Sequence, residues 1–119
     1  MIPLKNRIKH KKDFEVACRY GKSVFCDKMV LKFIKNGLDL SRIGLSVGLG
    51  FSRSAVKRNR LKRQLRVFFG EKLIQIRPGF DFVLIVRKGF GCEKAETRAC
   101  LEDVLTKTGL INKLSTSKD

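Results

Sequence analysis

Residues 43–70 read IGLSVGLGFSRSAVKRNRLKRQLRVFFG, a short alternating segment that passes through a glycine-rich break into a long basic segment. Every second residue of the first five is apolar, and this period of two predicts a strand. Ser52 or Ser54 can then cap a helix that we expect to run to about Phe69 and to stop at Gly70. The stretch therefore predicts a strand, a loop and a basic helix in that order.

The basic segment has two different faces when its residues are placed at about 100° intervals around a helix. Its apolar arc, which is suited to packing on a sheet, consists of Leu61, Leu65, Phe68 and Phe69. The other side is basic, and no acidic residue occurs between Leu40 and Gly70. A solvated outer face would mix both signs of charge, because like charges three or four positions apart repel. The uncompensated charge therefore indicates a polyanionic partner such as nucleic acid.

Arg58 falls inside the apolar arc although it is charged. It lies in the first turn of the predicted helix. A long side chain there can extend to solvent or reach the preceding loop.

The composition of the whole chain agrees with a nucleic-acid partner. The 119 residues include 27 Lys and Arg against 11 Asp and Glu, a formal net charge of +16. Solubility alone needs a net charge of only roughly 2–8. Because 43% of the residues are hydrophobic, a disordered basic tail is excluded. We expect one domain over residues 1–114 with a basic N-terminal arm, and a loose tail over residues 115–119.

Targeting, membrane and metal motifs are absent from the sequence. No apolar run has the length of a signal peptide or the ~20 residues of a membrane span, so a cytoplasmic protein with no membrane partner is expected. Four cysteines form two pairs of equal spacing without a zinc pattern, at Cys18, Cys26, Cys92 and Cys100. In a reducing cytoplasm we expect all four to be thiols in core or surface positions.

No protein-borne catalytic site is predicted. His10 is the only histidine and lies in the basic arm, so a catalytic triad is not available. The acidic residues are scattered and form no motif for catalytic Mg²⁺ or zinc. The predicted sets of catalytic and metal-ligating residues in the protein are therefore empty.

The first third of the chain reads as a helix followed by strands. Apolar spacing predicts a helix from about Lys11 to Tyr20, stopped by Gly21. A strand begins at Met29, and a further short strand around residues 23–26 has only a weak signal. Asn36-Gly37 is a reversal signal, so we expect the strand from Met29 to form a hairpin with the strand of residues 43–47.

The last third of the chain contains one more strand and one more helix. Pro78-Gly79 predicts a turn, and the continuously apolar run from Phe82 to Val86 predicts a strand covered on both faces. Spaced apolar residues from Ala95 to Leu105 then predict a final helix that ends at Gly109.

The basic helix also carries a family signature. Arg58-Asn59-Arg60 is an R-N-R motif followed by Lys62, Arg63 and Arg66. Lys5-Asn6-Arg7-Ile8 with Asp13-Phe14, and the strand Ile43-Gly44-Leu45-Ser46-Val47, extend the match over about the first ninety residues. In these residues the chain resembles the protein subunit of bacterial ribonuclease P.

The resemblance implies an α/β fold of the α+β sandwich type with element order αβββαβα. A four-stranded sheet would be packed with helices, and the strand–helix–strand crossover would be left-handed, against the usual right-handed rule. The family protein binds the catalytic RNA and the 5′ leader of precursor tRNA. It thereby assists the endonucleolytic hydrolysis that the RNA performs with Mg²⁺, held mainly by RNA and substrate. The protein alone would be inactive, with no obligate protein partner.

The resemblance also assigns residues to the two RNAs. Contact with the RNA subunit would be made by Arg53, Arg58, Asn59, Arg60, Lys62, Arg63 and Arg66. The leader would be bound in a cleft between the first helix and the sheet by Phe14, Arg7, Lys9, Gly44 and Ser46. Phe14 would be a stacking platform, or else a core anchor of the first helix. Gly44 and Ser46 would allow close approach of a backbone, or else are ordinary small strand residues.

Three positions depart from the family pattern. Cys18 and Lys32 stand where relatives often have aromatic residues, so stacking in the cleft should rely more on Phe14. Gly48-Leu49-Gly50 stands where two lysines are common. Composition alone would also allow a structural RNA-binding protein of ribosomal type, without a part in cleavage, and this is the alternative. The R-N-R run and the strand motif before it argue against that alternative. A helix-turn-helix DNA binder is disfavoured, because a strand and a loop precede the basic helix.

Overall fold

The computed structural model describes residues 2–26, 28–48, 51–87 and 94–111. Its helices and strands are α1 (Lys11–Tyr20), β1 (Lys22–Cys26), β2 (Met29–Lys35), β3 (Arg42–Ser46), α2 (Ala55–Lys72), β4 (Phe80–Val86) and α3 (Lys94–Thr108). This order is the predicted αβββαβα, with single 3-10 turns at Leu4–Asn6 and Leu73–Gln75. The expected loose tail over residues 115–119 lies outside the described residues.

The four strands form one sheet in the order β1-β2-β4-β3. β1 and β2 are an antiparallel hairpin, so the weakly signalled first strand is confirmed. β4 pairs antiparallel with β2 and parallel with β3. Because β3 and β4 are parallel, the chain must cross over between them through α2. The left-handedness of that crossover stays a prediction.

The predicted hairpin between β2 and β3 is wrong, because β4 lies between these strands. Asn36 and Gly37 do make a turn: Asn36 Oδ1 accepts a hydrogen bond from Leu38 N at 2.8 Å, and Gly37 has φ +74°. The loop continues beyond two residues, however, and Asn36 N donates to Gly79 O at the start of β4, at 2.9 Å. The reversal thus ends β2 without pairing it to β3. The most continuously apolar strand takes the central place, where both edges are paired and both faces are covered.

The two faces of the sheet are covered unequally. On one face Leu31 and Phe82 pack into the main core with the buried apolar arc of α2, which is Leu61, Leu65, Phe68 and Phe69 as predicted. α3 closes the same face. On the other face α1 packs, with Ala17 buried against a layer that includes Val30 and Val83. The part of this face that α1 leaves uncovered, together with the near side of α1, forms a cleft.

α2 does not end at Gly70 as expected but continues to Lys72. A glycine inside a helix costs about 1 kcal/mol relative to alanine, and contacts to α3 offset this cost. Lys72 Nζ lies 3.0 Å from Glu102 Oε2, and Arg98 Nη1 lies 2.8 Å from Glu71 Oε1. The last turn is therefore held by tertiary contacts that no local pattern encodes. α3, in contrast, ends before Gly109, whose φ is +74°.

Candidate nucleic-acid interface

The start of α2 is organised by two serines and one arginine. Ser54 is the N-cap, and its Oγ accepts a hydrogen bond from Lys57 N at 3.3 Å. Arg58 Nη1 donates to the carbonyl oxygen of Ser52 at 2.9 Å. Arg58 therefore reaches back to the preceding loop, one of the two outcomes expected for it. Its half-buried guanidinium stiffens the loop and keeps other donors for a ligand.

The first turn of α2 has the opposite charge from a usual helix start. It contains no acidic residue and carries Lys57 and Arg58, and Arg53 lies just before the helix. A helix N-terminus already has partial positive charge from its unpaired N–H groups, so anions are favoured there. The added cations strengthen a field that attracts phosphate.

The solvent side of α2 is a continuous basic face. Its exposed members are Arg53, Lys57, Asn59, Arg60 and Arg63, with Lys62 and Arg66 half-buried at its border. Among the residues that the structure describes, no ion pair involves any of these cations. Guanidinium groups without carboxylate partners keep their planar forks of donors for phosphate oxygens. The basic face can therefore bind an RNA backbone.

Phe14 lies on the sheet directly over Gly44. A Cβ atom placed on Gly44 would be 3.0 Å from Cδ2 and 3.0 Å from Cε2 of the Phe14 ring. The close approach that this glycine permits is therefore made by the protein's own ring. The space that we expected Gly44 to leave for an RNA backbone is filled by the ring of Phe14, which packs directly on Gly44. The ring remains half-buried, so part of it faces the cleft.

A cavity of about 220 Å³ joins this cleft to α2. Its apolar walls include Ile2, Ile8 and Phe14, and its cations are Arg7, Lys62 and Arg66. Residues assigned to the leader and residues assigned to the RNA subunit therefore line one cavity. Apolar walls beside three cations suit a nucleotide, which has a flat base and a charged phosphate.

The N-terminal arm is held against the edge of β3. Ile8 N donates to Ile43 O at 3.0 Å, and Arg7 Nε donates to Ile2 O at 3.0 Å. Ile2 is buried, which the basic composition of the arm does not suggest. Arg7 thereby lines the cavity, whereas Lys9 is exposed outside it. Ser46 is half-buried on the same sheet face as Gly44.

An ionic cluster fastens the start of α1 to the sheet. Arg42 binds the carboxylate of Asp81 through Nε at 2.8 Å and Nη2 at 2.7 Å, and reaches Asp13 Oδ2 through Nη1 at 3.3 Å. Asn36 Nδ2 donates to Asp81 Oδ1 at 2.9 Å. The hydrogen bond to Asp81 is the main reason that the pKa of Arg42 is raised, with the charges of Asp81 and Asp13 adding to it. The cluster places Asp13, and with it the next residue Phe14, above β3.

These ionic residues were not identified from the sequence. The one sequence feature that could have pointed to the cluster is Asp81, an acidic residue near the start of an apolar strand in a strongly basic chain. An acid buried in that position needs a cationic partner. The sequence pattern does not say which of 27 cations supplies it.

The departures at Cys18 and Lys32 meet on the α1 side of the sheet. Burial foremost raises the pKa of the Cys18 thiol, while the positive charge of Lys32 opposes the rise. Lys32 Nζ donates to Ser23 Oγ at 3.1 Å on the neighbouring strand. Two positions that could have carried aromatic rings therefore hold a thiol and an ammonium group.

Metal-binding and membrane-spanning features are absent within the described ranges. No group of three or more His, Cys, Asp or Glu side chains there could hold a metal ion. None of the helices in those ranges has the length and apolar character needed to cross a bilayer.

Comparison with known proteins gives consistent matches. A family model described as Ribonuclease P matches residues 2–109. The ribonuclease P protein component of Synechocystis is 34% identical over 113 residues, covering 93% of this chain and 91% of the relative. The Thermotoga maritima protein of the same description is 40% identical over 84 residues, covering 71% of each chain.

Solved structures share the fold. The Staphylococcus aureus RNase P protein superimposes with a TM-score of 0.79 at 29% identity, covering 90% of this chain and 98% of that chain. The Thermotoga maritima RNase P protein gives a TM-score of 0.73 at 33% identity, covering 85% of this chain and 96% of that chain.

Proposed function

Because the chain belongs to the ribonuclease P protein family, we propose that it binds the catalytic RNA of ribonuclease P through α2 and the 5′ leader of precursor tRNA in the α1 cleft. The observation that carries the proposal is the cavity in which Phe14 and Arg7 meet Lys62 and Arg66. One protein surface can then contact both RNAs where they approach each other.

The basic face of α2 is the surface proposed for the RNA subunit. Each phosphate that a cation neutralises releases condensed counterions, which favours binding most at low salt. Arg60 and Arg63 are exposed, and within the described part of the chain neither forms an ion pair with a carboxylate. Binding of RNA phosphates by these two arginines therefore breaks no ion pair within the described residues. Arg53, Arg58, Asn59, Lys62 and Arg66 complete the proposed contact.

The α1 cleft is the surface proposed for the leader. The accessible part of the Phe14 ring can stack on a base, and stacking accepts any of the four bases. Arg7 and Lys9 can contact leader phosphates, with half-buried Ser46 further along the same sheet face. Recognition of this kind holds single-stranded RNA with little sequence preference, which suits a leader that differs from one tRNA to the next.

In this proposal the hydrolysis is carried out by the RNA subunit in a cytoplasmic ribonucleoprotein, with Mg²⁺ held mainly by RNA and substrate. Asp13 and Asp81, the carboxylates of the ionic cluster beside Phe14, are engaged by Arg42 and do not suit a metal ion. The protein contributes by neutralising phosphates, so that two polyanions can come together at cellular salt.

Cleavage of precursor tRNA at low Mg²⁺ tests the proposal in three parallel reactions: catalytic RNA alone, protein alone, and both together. We expect cleavage only when both are present, because the protein has no proposed catalytic group. Product from nuclease-checked protein alone would contradict the assignment of catalysis to the RNA. Equal cleavage with and without the protein would favour the structural RNA-binding alternative.

A further inference from the structure

Two cysteines that are far apart in sequence meet at the edge of the sheet. Cys26 ends β1, and Cys100 lies on the face of α3 that packs against β1. Their Sγ atoms are 2.7 Å apart although the residues are separated by 74 positions. Cys100 is buried and Cys26 is half-buried. A reagent in solution would therefore meet Cys26 first, and Cys100 lies directly behind it.

Charged groups on the next turns of α3 lie beside this thiol pair, Cys26 and Cys100. Lys107 Nζ donates to Phe25 O at 2.7 Å and to Asp103 Oδ2 at 2.8 Å. The hydrogen bond to Asp103 foremost raises the pKa of Lys107, and negative charge on either sulfur adds to the rise. The pKa of Asp103 is lowered foremost by its hydrogen bond to Lys107, and a hydrogen bond from the Cys26 side chain adds to the lowering.

We propose that the thiol pair is a disulfide-exchange site for a low-molecular-weight disulfide of the glutathione type. The thiolate of Cys26 attacks one sulfur of the disulfide, which breaks its S–S bond, forms a mixed disulfide and releases one small thiol that takes up the proton. The Cys100 sulfur then attacks Cys26 Sγ and releases the second small thiol with its proton. Two protein thiols are oxidised and one small disulfide is reduced.

The crosslink joins the edge strand β1 to α3 and closes a loop that contains β2, β3, α2 and β4. Closing so long a loop restricts the unfolded chain, so the oxidised protein should be more stable than the reduced one. None of the residues of the basic face or the α1 cleft lies on β1 or α3. Oxidation should therefore stabilise the fold without weakening RNA binding.

Treatment of the full-length protein with oxidised glutathione tests the site. We expect peptide mapping under non-reducing conditions to recover a 26–100 crosslink, and Tm to rise by roughly 10 °C. Reductant should reverse both changes. Cys26→Ala and Cys100→Ala should each abolish the rise. Cys18→Ala is the matched control and should keep it, because Cys18 is on α1, away from the pair.

Separate glutathione adducts on Cys26 and Cys100 that never resolve would overturn the proposal. The same holds for crosslinks that use Cys18 or Cys92 in place of the pair. A 26–100 crosslink with unchanged Tm would show that the exchange does not stabilise the fold. Catalytic-RNA affinity that falls on oxidation would contradict the separation of the pair from the RNA-binding surface.

Discussion

Replacing Arg60, Arg63 and Arg66 together with Gln should weaken binding of the catalytic RNA roughly 100-fold at about 0.1 M salt. The affinity falls as salt rises, and each lost phosphate contact makes the slope of log K against log salt shallower by about 0.7 to 0.9. The effects of the three lost contacts on the slope add together. The measurement is the equilibrium affinity across a salt titration. A shallower slope with reduced affinity is expected, because the effect comes from fewer released counterions.

The triple variant should keep its fold. Arg60 and Arg63 are exposed, and Arg66 lines a cavity on the border of the basic face. Thermal unfolding checks this directly.

A matched control removes the same charge elsewhere. The control variant changes three exposed lysines away from α2: Lys22 on β1, Lys28 in the turn after β1, and Lys35 on β2. Their triple Gln variant should retain nearly the wild-type slope. If the α2 variant instead binds as tightly as the wild type at every salt concentration, the basic face does not contact the RNA subunit.

Phe14→Ala should weaken binding of leader-bearing precursor tRNA to the holoenzyme by about 1–3 kcal/mol, the usual range for one stacked base. Binding of mature tRNA should stay nearly unchanged, because it has no leader to enter the cleft. Since Cys18 and Lys32 supply no aromatic ring, Phe14 should carry most of the stacking that remains. Affinities of the two tRNAs for wild-type and variant holoenzymes provide the comparison.

The half-buried position of Phe14 over Gly44 requires a control for packing. Phe14→Leu keeps apolar volume but removes the aromatic face, so it should preserve stability and still reduce leader binding. A purely structural Phe14 would show a lowered Tm and the same loss of affinity for both tRNAs.

The elements of this fold follow closely from local patterns, whereas their arrangement does not. α1 runs from Lys11 to Tyr20 as predicted, because apolar spacing and Gly21 are signals within a few residues. The pairing of β2 with β3 was predicted wrongly, because Asn36-Gly37 encodes a turn but cannot encode that β4 enters between the strands. Gly70 is likewise a local stop signal that contacts from α3 override.

The candidate site shows the same division. The basic face of α2 could be predicted because its charges lie on consecutive turns of one helix. The packing of the Phe14 ring on Gly44 could not be predicted from the sequence, because it depends on where α1 crosses the sheet. The cluster of Asp13, Arg42 and Asp81 also joins residues 29 and 39 positions apart. No local period relates such residues, so only the folded chain brings them together.

Photo-crosslinking from α2 is the most direct measurement of where the catalytic RNA lies. A photoreactive amino acid can replace Val67, a 42% exposed residue on α2 beside Arg66. The matched control replaces Leu38, a 47% exposed residue in the loop between β2 and β3. We predict that Val67 crosslinks to the catalytic RNA and that Leu38 does not. A crosslink from Leu38 with none from Val67 would contradict binding of the RNA subunit by α2.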